Sequence, residues 1–511
     1  MTGNAAHWFV DRHIAEGRGA KTAFEEAWEG GRQLTYGALA NGAGQVADAL
    51  VRSGISREAR AAMFVLDQIE FPQIFWGTLK AGVVPVALNT LLSSDVYSAI
   101  LRDSRAAIAF VSQELWDVVA PAVQESPDLR QVVVIGSEAP EGTLSWEAFV
   151  AGTTPAETLD CSGDEIAFWL YSSGSTGAPK GVRHVHSALR QTCDTFARQV
   201  LDIQEQDKVF SAAKLFFAYG LGNGMSFPMS VGATSLLYNG RPTPDTVSHI
   251  LETYQPTVYY GVPTLFASLL HKWETDGAPP RVPLRCCTSA GEALPAEIGR
   301  KWRDLMGLDI IDGVGSTEML HIFLSNRPGD VHYGTSGTAV PGYEVRLVDE
   351  DGAEVDTGVV GELLVRGGSA AADYWNQRDK TRRTFEGEWT RTGDKYERNV
   401  AGRFIYCGRT DDIFKVSGIW VSPFEIEQAL VEFPAVLEAA VVAHRDEDDL
   451  EKPKAFVVLK PGHGPEAVVG IRAFIKDKIG KWKYPRWIEI IDDLPKTATG
   501  KIQRFKLRSR L

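Results

Sequence analysis

A loop rich in glycine and hydroxyl groups constrains this chain more than any other part of its sequence. The loop spans residues 171–181, reads YSSGSTGAPKG, and follows an apolar run, Ile166 to Leu170, that is typical of a strand. Glycine adopts backbone conformations that other residues avoid. Successive N–H groups in such a loop can converge on phosphate oxygens. The pattern therefore predicts a site that wraps a polyphosphate.

The P-loop of NTPases is the first alternative for this loop, and the spacing excludes it. That motif requires Gly, four residues, and then Gly-Lys followed by Ser or Thr. Five residues after Gly174 the chain has Pro179, and Lys180 is followed by Gly181. An ordinary Gly/Ser surface loop remains open until other motifs are considered.

The length of the chain predicts more than one domain, since 511 residues exceed the size at which a single hydrophobic core keeps growing. Short apolar runs alternate with helical patterns over about residues 20–160 and 205–330, which favours α/β layers with buried parallel strands. Period-two alternation over about 335–408 indicates antiparallel strands. The last hundred residues form another unit. Strands are expected at 61–66, 82–88, 106–111, 131–135, 258–261 and 309–312, and helices at 71–79 and 263–270.

Composition narrows the function classes. A net charge of −13 argues against a nucleic-acid partner. The amino terminus lacks a signal pattern, and no run approaches the ~18 apolar residues of a membrane span, so we expect a soluble cytoplasmic protein without a membrane partner. Five cysteines without CxxC spacing indicate a reducing compartment and no zinc site. Each is expected to be a small buried residue: Cys161, Cys193, Cys286, Cys287 and Cys407.

Five further segments accompany the glycine-rich loop: SAGEAL at 289–294, DGVGSTE at 312–318, WTRTGD at 389–394, GRTDD at 408–412 and PKTATGKIQR at 495–504. In this order the six motifs resemble the adenylate-forming enzymes, which include acyl-CoA synthetases, luciferase-like enzymes and peptide-synthetase adenylation domains. The resemblance implies an α/β fold with two α/β subdomains and a β-rich subdomain in residues 1–408. It also implies a hinge at 409–412, with Asp411 as the hinge residue, and a small mobile α+β domain at 413–511.

The resemblance also assigns the ATP site. The expected ATP contacts are Ser172, Ser173, Gly174, Ser175, Thr176, Gly177, Lys180, Gly291, Glu292, Asp312, Gly313, Thr317, Asp394, Arg409 and Lys501. Glu318 is the expected Mg²⁺ ligand and Thr317 a phosphate contact, and both are implied in catalysis. Alone, Glu318 would be interpreted as an acid in the first turn of a helix, favoured by the helix dipole.

Lys501 is the implied catalytic lysine of adenylation. A cation between a carboxylate and the α-phosphate lowers the barrier as charge accumulates on both groups. Residues 472–511 contain twelve Lys and Arg against four Asp and Glu, and either a solvated face or attraction of a polyanion explains this excess. In the family this lysine is also a target of acetylation, which would remove its charge. A lysine acetyltransferase is therefore one further partner that the resemblance allows.

The acid and thiol sites follow from two further segments. Residues 213–223 resemble the acyl pocket of benzoate-CoA ligases, so a flat slot for one aromatic ring is expected from Phe217, Ala218, Tyr219, Ala290, Gly291 and His321. A core helix start is the alternative for 213–223, and a core histidine for His321. The CoA contacts implied after the hinge are Lys415, Ser417, Gly418 and Trp420.

The predicted function is an ATP-dependent aryl-CoA ligase that uses an aromatic carboxylic acid, ATP, Mg²⁺ and CoA. Two alternatives stay open: an enzyme that loads an aryl acid onto a carrier protein, and a non-enzymatic nucleotide- or ligand-sensing module. Intact Glu318, Asp394 and Lys501 argue against the sensing module. The ring substituents that are accepted, and whether the chain forms a homodimer, are left open.

Overall fold

The computed structural model describes residues 3–173, 179–410, 412, 414–416, 419–447, 450–479, 483–496 and 502–508. Within these ranges the chain forms α/β layers, a β-rich unit and a separate C-terminal domain. The predicted fold class is therefore confirmed. No helix of the described part is both long and apolar enough to cross a membrane.

An eight-stranded sheet, counted over the described residues, forms the first layer. In spatial order its strands are Asp373–Tyr374, Pro179–Val185, Ile166–Ser173, Val84–Ala87, Arg60–Phe64, Ala106–Ser112, Gln131–Ile135 and Leu144–Ser145. The strands from Ile166–Ser173 onward are parallel, and the first two are antiparallel to their neighbours. The connecting helices are Tyr36–Arg52, Glu70–Lys80, Ser94–Ser104, Trp116–Gln124 and Trp146–Val150, with a 3₁₀ turn at Gln113–Leu115.

The parallel strands form where short apolar runs were expected. Gln131–Ile135 matches its predicted bounds, and Arg60–Phe64 has four buried residues out of five. Buried on both faces, such strands have no alternation of polar and apolar residues. Gly54 follows the helix Tyr36–Arg52 with φ of 69°, the left-handed conformation that a terminating glycine adopts.

A nine-stranded sheet, counted in the same way, forms the second layer. Its strands in spatial order are Thr338–Ala339, Ile322–Ser325, Ile310–Gly315, Cys286–Ser289, Val258–Gly261, Lys208–Ser211, Thr234–Leu237, Thr22–Glu26 and Gln33–Thr35. Its middle strands are parallel, and the edges are antiparallel. The helices of this part are Arg12–Ala15, His186–Thr192, Ala218–Leu221, Phe227–Val231, Pro244–Tyr254, Pro263–Asp276 and Ala296–Met306, with π-helical turns at His7–Asp11, Cys193–Ala197 and Gly222–Ser226.

The β-rich unit lies where period-two alternation was found. Its strands are Glu344–Val348, Val360–Arg366, Trp389–Arg398, Phe385–Glu386 and Phe404–Arg409, all paired antiparallel, and a helix spans Arg378–Thr384. The antiparallel prediction for residues 335–408 is therefore confirmed.

The C-terminal part forms its own core. Its strands are Phe414–Val416, Ile419–Val421, Val436–Arg445, Glu451–Leu459 and Trp487–Ile490, and its helices are Pro423–Val431, Ala467–Ile479 and Arg504–Arg508. The helices Pro423–Val431 and Ala467–Ile479 bury Ile426, Leu430 and Ile471 against the three-stranded sheet. Across the predicted hinge, Tyr406 contacts Phe424 edge-on with ring centroids 5.2 Å apart.

All five cysteines are free thiols. Cys193, Cys286 and Cys287 are buried, as expected of small core residues. Cys161 and Cys407 are only partly buried, so the expectation of a buried position was wrong for these two. Cys161 lies in the irregular segment before the strand Ile166–Ser173, and Cys407 lies in the strand Phe404–Arg409 of the β-rich unit.

Candidate active site

The glycine-rich loop connects two paired strands at the edge of the first sheet. Ile166–Ser173 runs into it and Pro179–Val185 leaves it, with Ser172 opposite Lys180 in the antiparallel register. Ser172 Oγ is buried without a hydrogen-bond partner among the described residues. An unpartnered hydroxyl at the base of the loop is available to a ligand. Gly174, Ser175, Thr176, Gly177 and the side chain of Ser173 lie outside the described residues.

Lys180 and Glu318, both predicted ATP-site residues, are in contact. Lys180 Nζ donates to Glu318 Oε1 at 2.7 Å. Sequence reasoning missed the third member of this group, Tyr374, whose hydroxyl lies 3.0 Å from Lys180 Nζ and donates to Glu318 Oε1 at 2.8 Å. Tyr374 lies outside the six motifs, and the sequence analysis found no signal that indicates a role for it.

The surroundings keep Glu318 ionised. Burial alone would raise the pKa of this carboxyl, but the charge of Lys180 and hydrogen bonds from Lys180 and Tyr374 lower the pKa below its usual range. Burial, and then the nearby Glu318 charge, raise the pKa of Tyr374, so its hydroxyl stays a donor. The site therefore holds one anionic carboxylate beside one ammonium group.

Glu318 lies in a turn, not in a helix, so the interpretation as a first-turn helix acid was wrong. Two hydrogen bonds from the segment 369–371 hold this turn in place. The backbone N–H of Ala371 donates to Glu318 O at 2.7 Å, and Ser369 Oγ donates to Met319 O at 2.8 Å. Thr317 accepts from the backbone N–H of Leu320 at 3.1 Å within the same turn. The predicted metal ligand and phosphate contact are therefore adjacent on a rigid turn.

Asp312 lies in the buried part of the strand Ile310–Gly315, directly beside Ser289 of the neighbouring strand. Its Oδ1 atom is buried without a partner among the described residues, and burial raises its pKa well above the usual value. Ala290, Gly291 and Glu292 follow Ser289, and Gly291 has φ of 96°. Gly313 follows Asp312 in its strand, where a Cβ would lie 2.8 Å from Ile322. The two motifs that were assigned to the nucleotide therefore lie side by side.

Asp394 and Arg409, assigned to the ribose, lie opposite each other on paired strands. Arg409 Nη1 donates to Asp394 Oδ1 at 3.0 Å and to Thr392 O at 3.0 Å. Gly393 has φ of 70°, and a Cβ there would lie 2.8 Å from the guanidinium. The structure thus places a carboxylate and a guanidinium together, as the motif pair predicts.

Residues of the predicted aromatic slot lie in and beside the helix Ala218–Leu221. Tyr219 and His321 have ring centroids 5.5 Å apart, and the hydroxyl of Tyr219 donates to Thr288 O at 3.1 Å, on the strand that leads to Ala290. Phe217 is half-buried, with its ring centroid 4.3 Å from that of Phe216.

His321 is buried and neutral in this group. Its Nε2 lies 3.3 Å from Tyr219 O and 3.1 Å from Asn223 Oδ1, so it donates to these two acceptors. Burial lowers the pKa of His321 to about 3. The sequence analysis gives Asn223 no role within the segment 213–223, although an amide in an apolar stretch is a signal that could have indicated one.

Several predicted residues cannot be placed. Asp411, Ser417, Gly418 and Lys501 lie outside the described residues, as do the side chains of Lys415 and Trp420. Asp412, next to the predicted hinge residue, accepts from Arg508 Nη2 at 3.0 Å and lies 3.5 Å from Arg504 Nη1.

Comparison with known proteins adds independent findings. The family model described as "AMP-binding enzyme" matches residues 11–375, and that described as "AMP-binding enzyme C-terminal domain" matches residues 425–501. A 4-hydroxybenzoate–CoA/benzoate–CoA ligase of Rhodopseudomonas palustris is 53% identical over 99% of this chain and 94% of its own. A benzoate–CoA ligase of Thauera aromatica is 54% identical over 99% and 96% of the two chains.

Solved structures agree with these relatives. A benzoate CoA ligase from Burkholderia xenovorans is 47% identical and superimposes with a TM-score of 0.90 over 99% of both chains. An anthranilate CoA ligase in complex with anthranoyl-AMP is 41% identical, with a TM-score of 0.95 over 99% of this chain and 97% of that one.

Proposed function

The chain belongs to the AMP-binding enzyme family, and we propose that it is an ATP-dependent aryl-CoA ligase. It converts benzoate or a substituted benzoate to the CoA thioester through an acyl-adenylate, releasing pyrophosphate and then AMP. The observation that supports this most strongly is an identity of 53% and 54%, over nearly the whole chain, to ligases whose names specify benzoate and CoA.

In the first half-reaction a carboxylate oxygen of the acid attacks the α-phosphorus of ATP, and pyrophosphate leaves. Catalysis of such a displacement is mainly positioning and charge stabilisation. We assign the phosphates of ATP to the glycine-rich loop and Lys180. We assign the adenine base to the buried strand at Asp312, and the ribose to Asp394 and Arg409. Ser172 Oγ and Asp312 Oδ1 have no partner among the residues that the structure describes, and this supports the assignment, because buried polar atoms normally have partners.

The residues present fit a Mg²⁺ ion. Glu318 is an ionised carboxylate on a fixed turn, and Mg²⁺ in nucleotide enzymes is commonly bound by one or two carboxylates together with substrate phosphates. We propose that Glu318 holds it, with Thr317 beside the phosphates. The ion would neutralise charge on the pyrophosphate leaving group.

The acid site is proposed at the slot around Tyr219, His321 and Ala290. Aromatic walls favour a flat ring over a flexible chain, because edge-to-face and offset contacts add to area burial. The neutral His321, held by Asn223 and the backbone of Tyr219, adds no charge to this slot. The names of the relatives, which include hydroxybenzoates and anthranilate, support an aromatic acid.

For the second half-reaction we propose that CoA thiolate attacks the acyl carbon and AMP leaves. We propose a hinge at residues 409–412, about which the following domain brings Lys501 to the first step and the segment 415–420 to the second. ATP and CoA are cytoplasmic co-substrates, so the proposed reaction places the enzyme in the cytoplasm. Acetylation of Lys501 would remove the charge that the first step uses.

A panel of acids, assayed by AMP release with ATP, Mg²⁺ and CoA, tests this function. Benzoate or a hydroxy- or aminobenzoate should give thioester, whereas acetate and fatty acids should not. AMP release with acetate or fatty acids and none with any benzoate would exclude the aromatic assignment. Replacing CoA with a pantetheinylated carrier protein separates the ligase from the carrier-loading alternative.

A further inference from the structure

Tyr374 connects the two charged groups of the proposed phosphate site. Its hydroxyl donates to Glu318 Oε1 at 2.8 Å and lies 3.0 Å from Lys180 Nζ, which itself lies 2.7 Å from the same Oε1. Since Lys180 is a donor only, it donates to the phenol oxygen while the phenol donates to the carboxylate. The three side chains therefore form a closed triangle of hydrogen bonds, in which two N–H groups of Lys180 and the phenol O–H are each directed to an acceptor.

The backbone around Tyr374 bridges the strand of Lys180 and the turn of Glu318. Asp373–Tyr374 pairs antiparallel with Pro179–Val185, and the N–H of Trp375 donates to Gly181 O at 2.9 Å. On the other side, the N–H of Ala371 donates to Glu318 O at 2.7 Å. Tyr374 is therefore attached to both charged residues through the main chain as well as through its hydroxyl.

The ring of Tyr374 is packed and only 4% exposed. It contacts Phe385 with ring centroids 5.4 Å apart and lies in a small cluster with Val182 and Ala371. Lys180 Nζ also lies 4.3 Å from the ring centroid. Because packing holds the ring independently of the hydroxyl, the position of the donor does not depend on the two charges that it contacts.

Resting on the proposed function, we propose that Tyr374 is a positioning residue for Mg²⁺–ATP: it holds the Glu318 carboxylate in place while Lys180 is exchanged for the metal. Without nucleotide, Lys180 is the cation beside Oε1 of Glu318. Once ATP and Mg²⁺ bind, the lysine is needed at the phosphates and the carboxylate at the metal, so their mutual bond has to break. The neutral phenol keeps its bond to Glu318 in both states.

If Tyr374 has this role, its loss should weaken ATP binding when Mg²⁺ is present but not when Mg²⁺ is absent. Tyr374→Phe keeps the packed ring and removes the donor to Glu318. We expect it to raise the Kd for ATP in the presence of Mg²⁺ by about tenfold, the effect of one hydrogen bond to a charged group. The Kd for ATP with EDTA should change by less than about twofold, because the metal ligand is then not used.

Calorimetric titration of the full chain with ATP, with Mg²⁺ and with EDTA, measures both constants, and thermal melting checks the fold. The control is Tyr36→Phe, which removes a buried hydroxyl that donates to Ala233 O at 2.7 Å and is not part of the proposed site. This variant should change neither Kd. An equal rise of both constants in Tyr374→Phe would show a structural role and overturn the proposal. If neither dissociation constant changed, the proposal would be overturned as well.

A double-mutant cycle gives a second measurement. Glu318→Gln should also weaken binding only when Mg²⁺ is present, and adding Tyr374→Phe to it should cause little further loss, because the two residues act together. Independent, additive losses would overturn the positioning role. These titrations contain no aromatic acid, so a failure of the acid panel would refute the proposed substrate without affecting this result.

Discussion

Arg504 and Glu427 form an ion pair within the C-terminal domain: Nη2 of the arginine lies 2.7 Å from Oε2 and 2.9 Å from Oε1 of the glutamate. Glu427 is 6% exposed and also accepts from the backbone N–H of Val441 at 2.7 Å. The same guanidinium reaches Asp412, the last residue of the proposed hinge. The helix Arg504–Arg508 is therefore attached both to the domain core and to the segment that precedes the domain.

Arg504→Met should destabilise the C-terminal domain, because it leaves the buried Glu427 charge without its partner. Breaking such a pair costs about 3 kcal/mol of unfolding free energy. Urea unfolding monitored by hydrogen exchange of the strand Val436–Arg445 measures the loss. Arg300→Met is the control, since Arg300 is exposed and pairs with Glu297 at 3.3 Å on the surface of one helix. Equal losses in both variants would contradict the importance of the buried pair.

Gly222→Ala should impair use of the aromatic acid and spare ATP. A Cβ at residue 222 would lie 2.4 Å from Cδ2 of His321, so the imidazole must move within the slot. We expect kcat/KM for benzoate to fall by about tenfold or more, with the KM for ATP unchanged within about twofold. Gly163→Ala is the control, because its Cβ would meet its nearest atom at 3.7 Å. A parallel rise in the KM for ATP would indicate general damage instead.

The fold was predictable where short-range patterns decide it. Val258–Gly261 has four buried residues, and an apolar run of that length is typical of a buried parallel strand. The strand Glu344–Val348 pairs antiparallel with Val360–Arg366, as period-two alternation indicates. Strand order was not predictable, because Thr22–Glu26 pairs with Thr234–Leu237 from a distant part of the chain.

Motifs in the sequence indicated residues of the candidate site, but they did not indicate the contacts between those residues. Motifs identified Lys180 and Glu318, yet their direct bond joins positions 138 residues apart and depends on how the turn packs against the first sheet. Tyr374 belongs to no motif, and its role follows from a two-residue strand that pairs with Pro179–Val185. Asn223 contributes to the candidate site through its hydrogen bond with His321, which the fold brings next to it. Such tertiary pairings leave no local periodicity in the sequence.

His186 should make the stability of the protein depend on pH. Its Nδ1 accepts from the backbone N–H of Ala5 at 3.1 Å, and burial lowers its pKa to about 4. The unfolded chain, with a pKa of about 6.5, binds a proton more readily. The stabilisation is therefore complete above about pH 6.5 and is lost as the pH falls toward 4, by about 2 kcal/mol between pH 7.5 and 5.

His186→Gln removes this titration, so the stability difference between wild type and variant should shrink by about 2 kcal/mol over that range. Urea unfolding followed by tryptophan fluorescence at several pH values measures it. His249→Gln, at an exposed position, controls for the loss of an imidazole as such. A difference between wild type and His186→Gln that stays constant from pH 7.5 to 5 would contradict the buried neutral state.

Lys501→Ala should separate the two half-reactions. The proposed role of this lysine is to stabilise charge as the acid oxygen attacks the α-phosphorus. In the proposed second step the segment 415–420 takes its place, so the lysine is not used when CoA attacks the acyl-adenylate. We therefore expect the rate of adenylation, measured as pyrophosphate release, to fall by about a hundredfold or more. Thioester formation from supplied benzoyl-adenylate and CoA should change by less than about threefold. Lys460→Ala, at an exposed lysine of the same domain, is the control and should leave both rates unchanged. Equal losses in the two assays would assign Lys501 to the integrity of the domain and not to the first step.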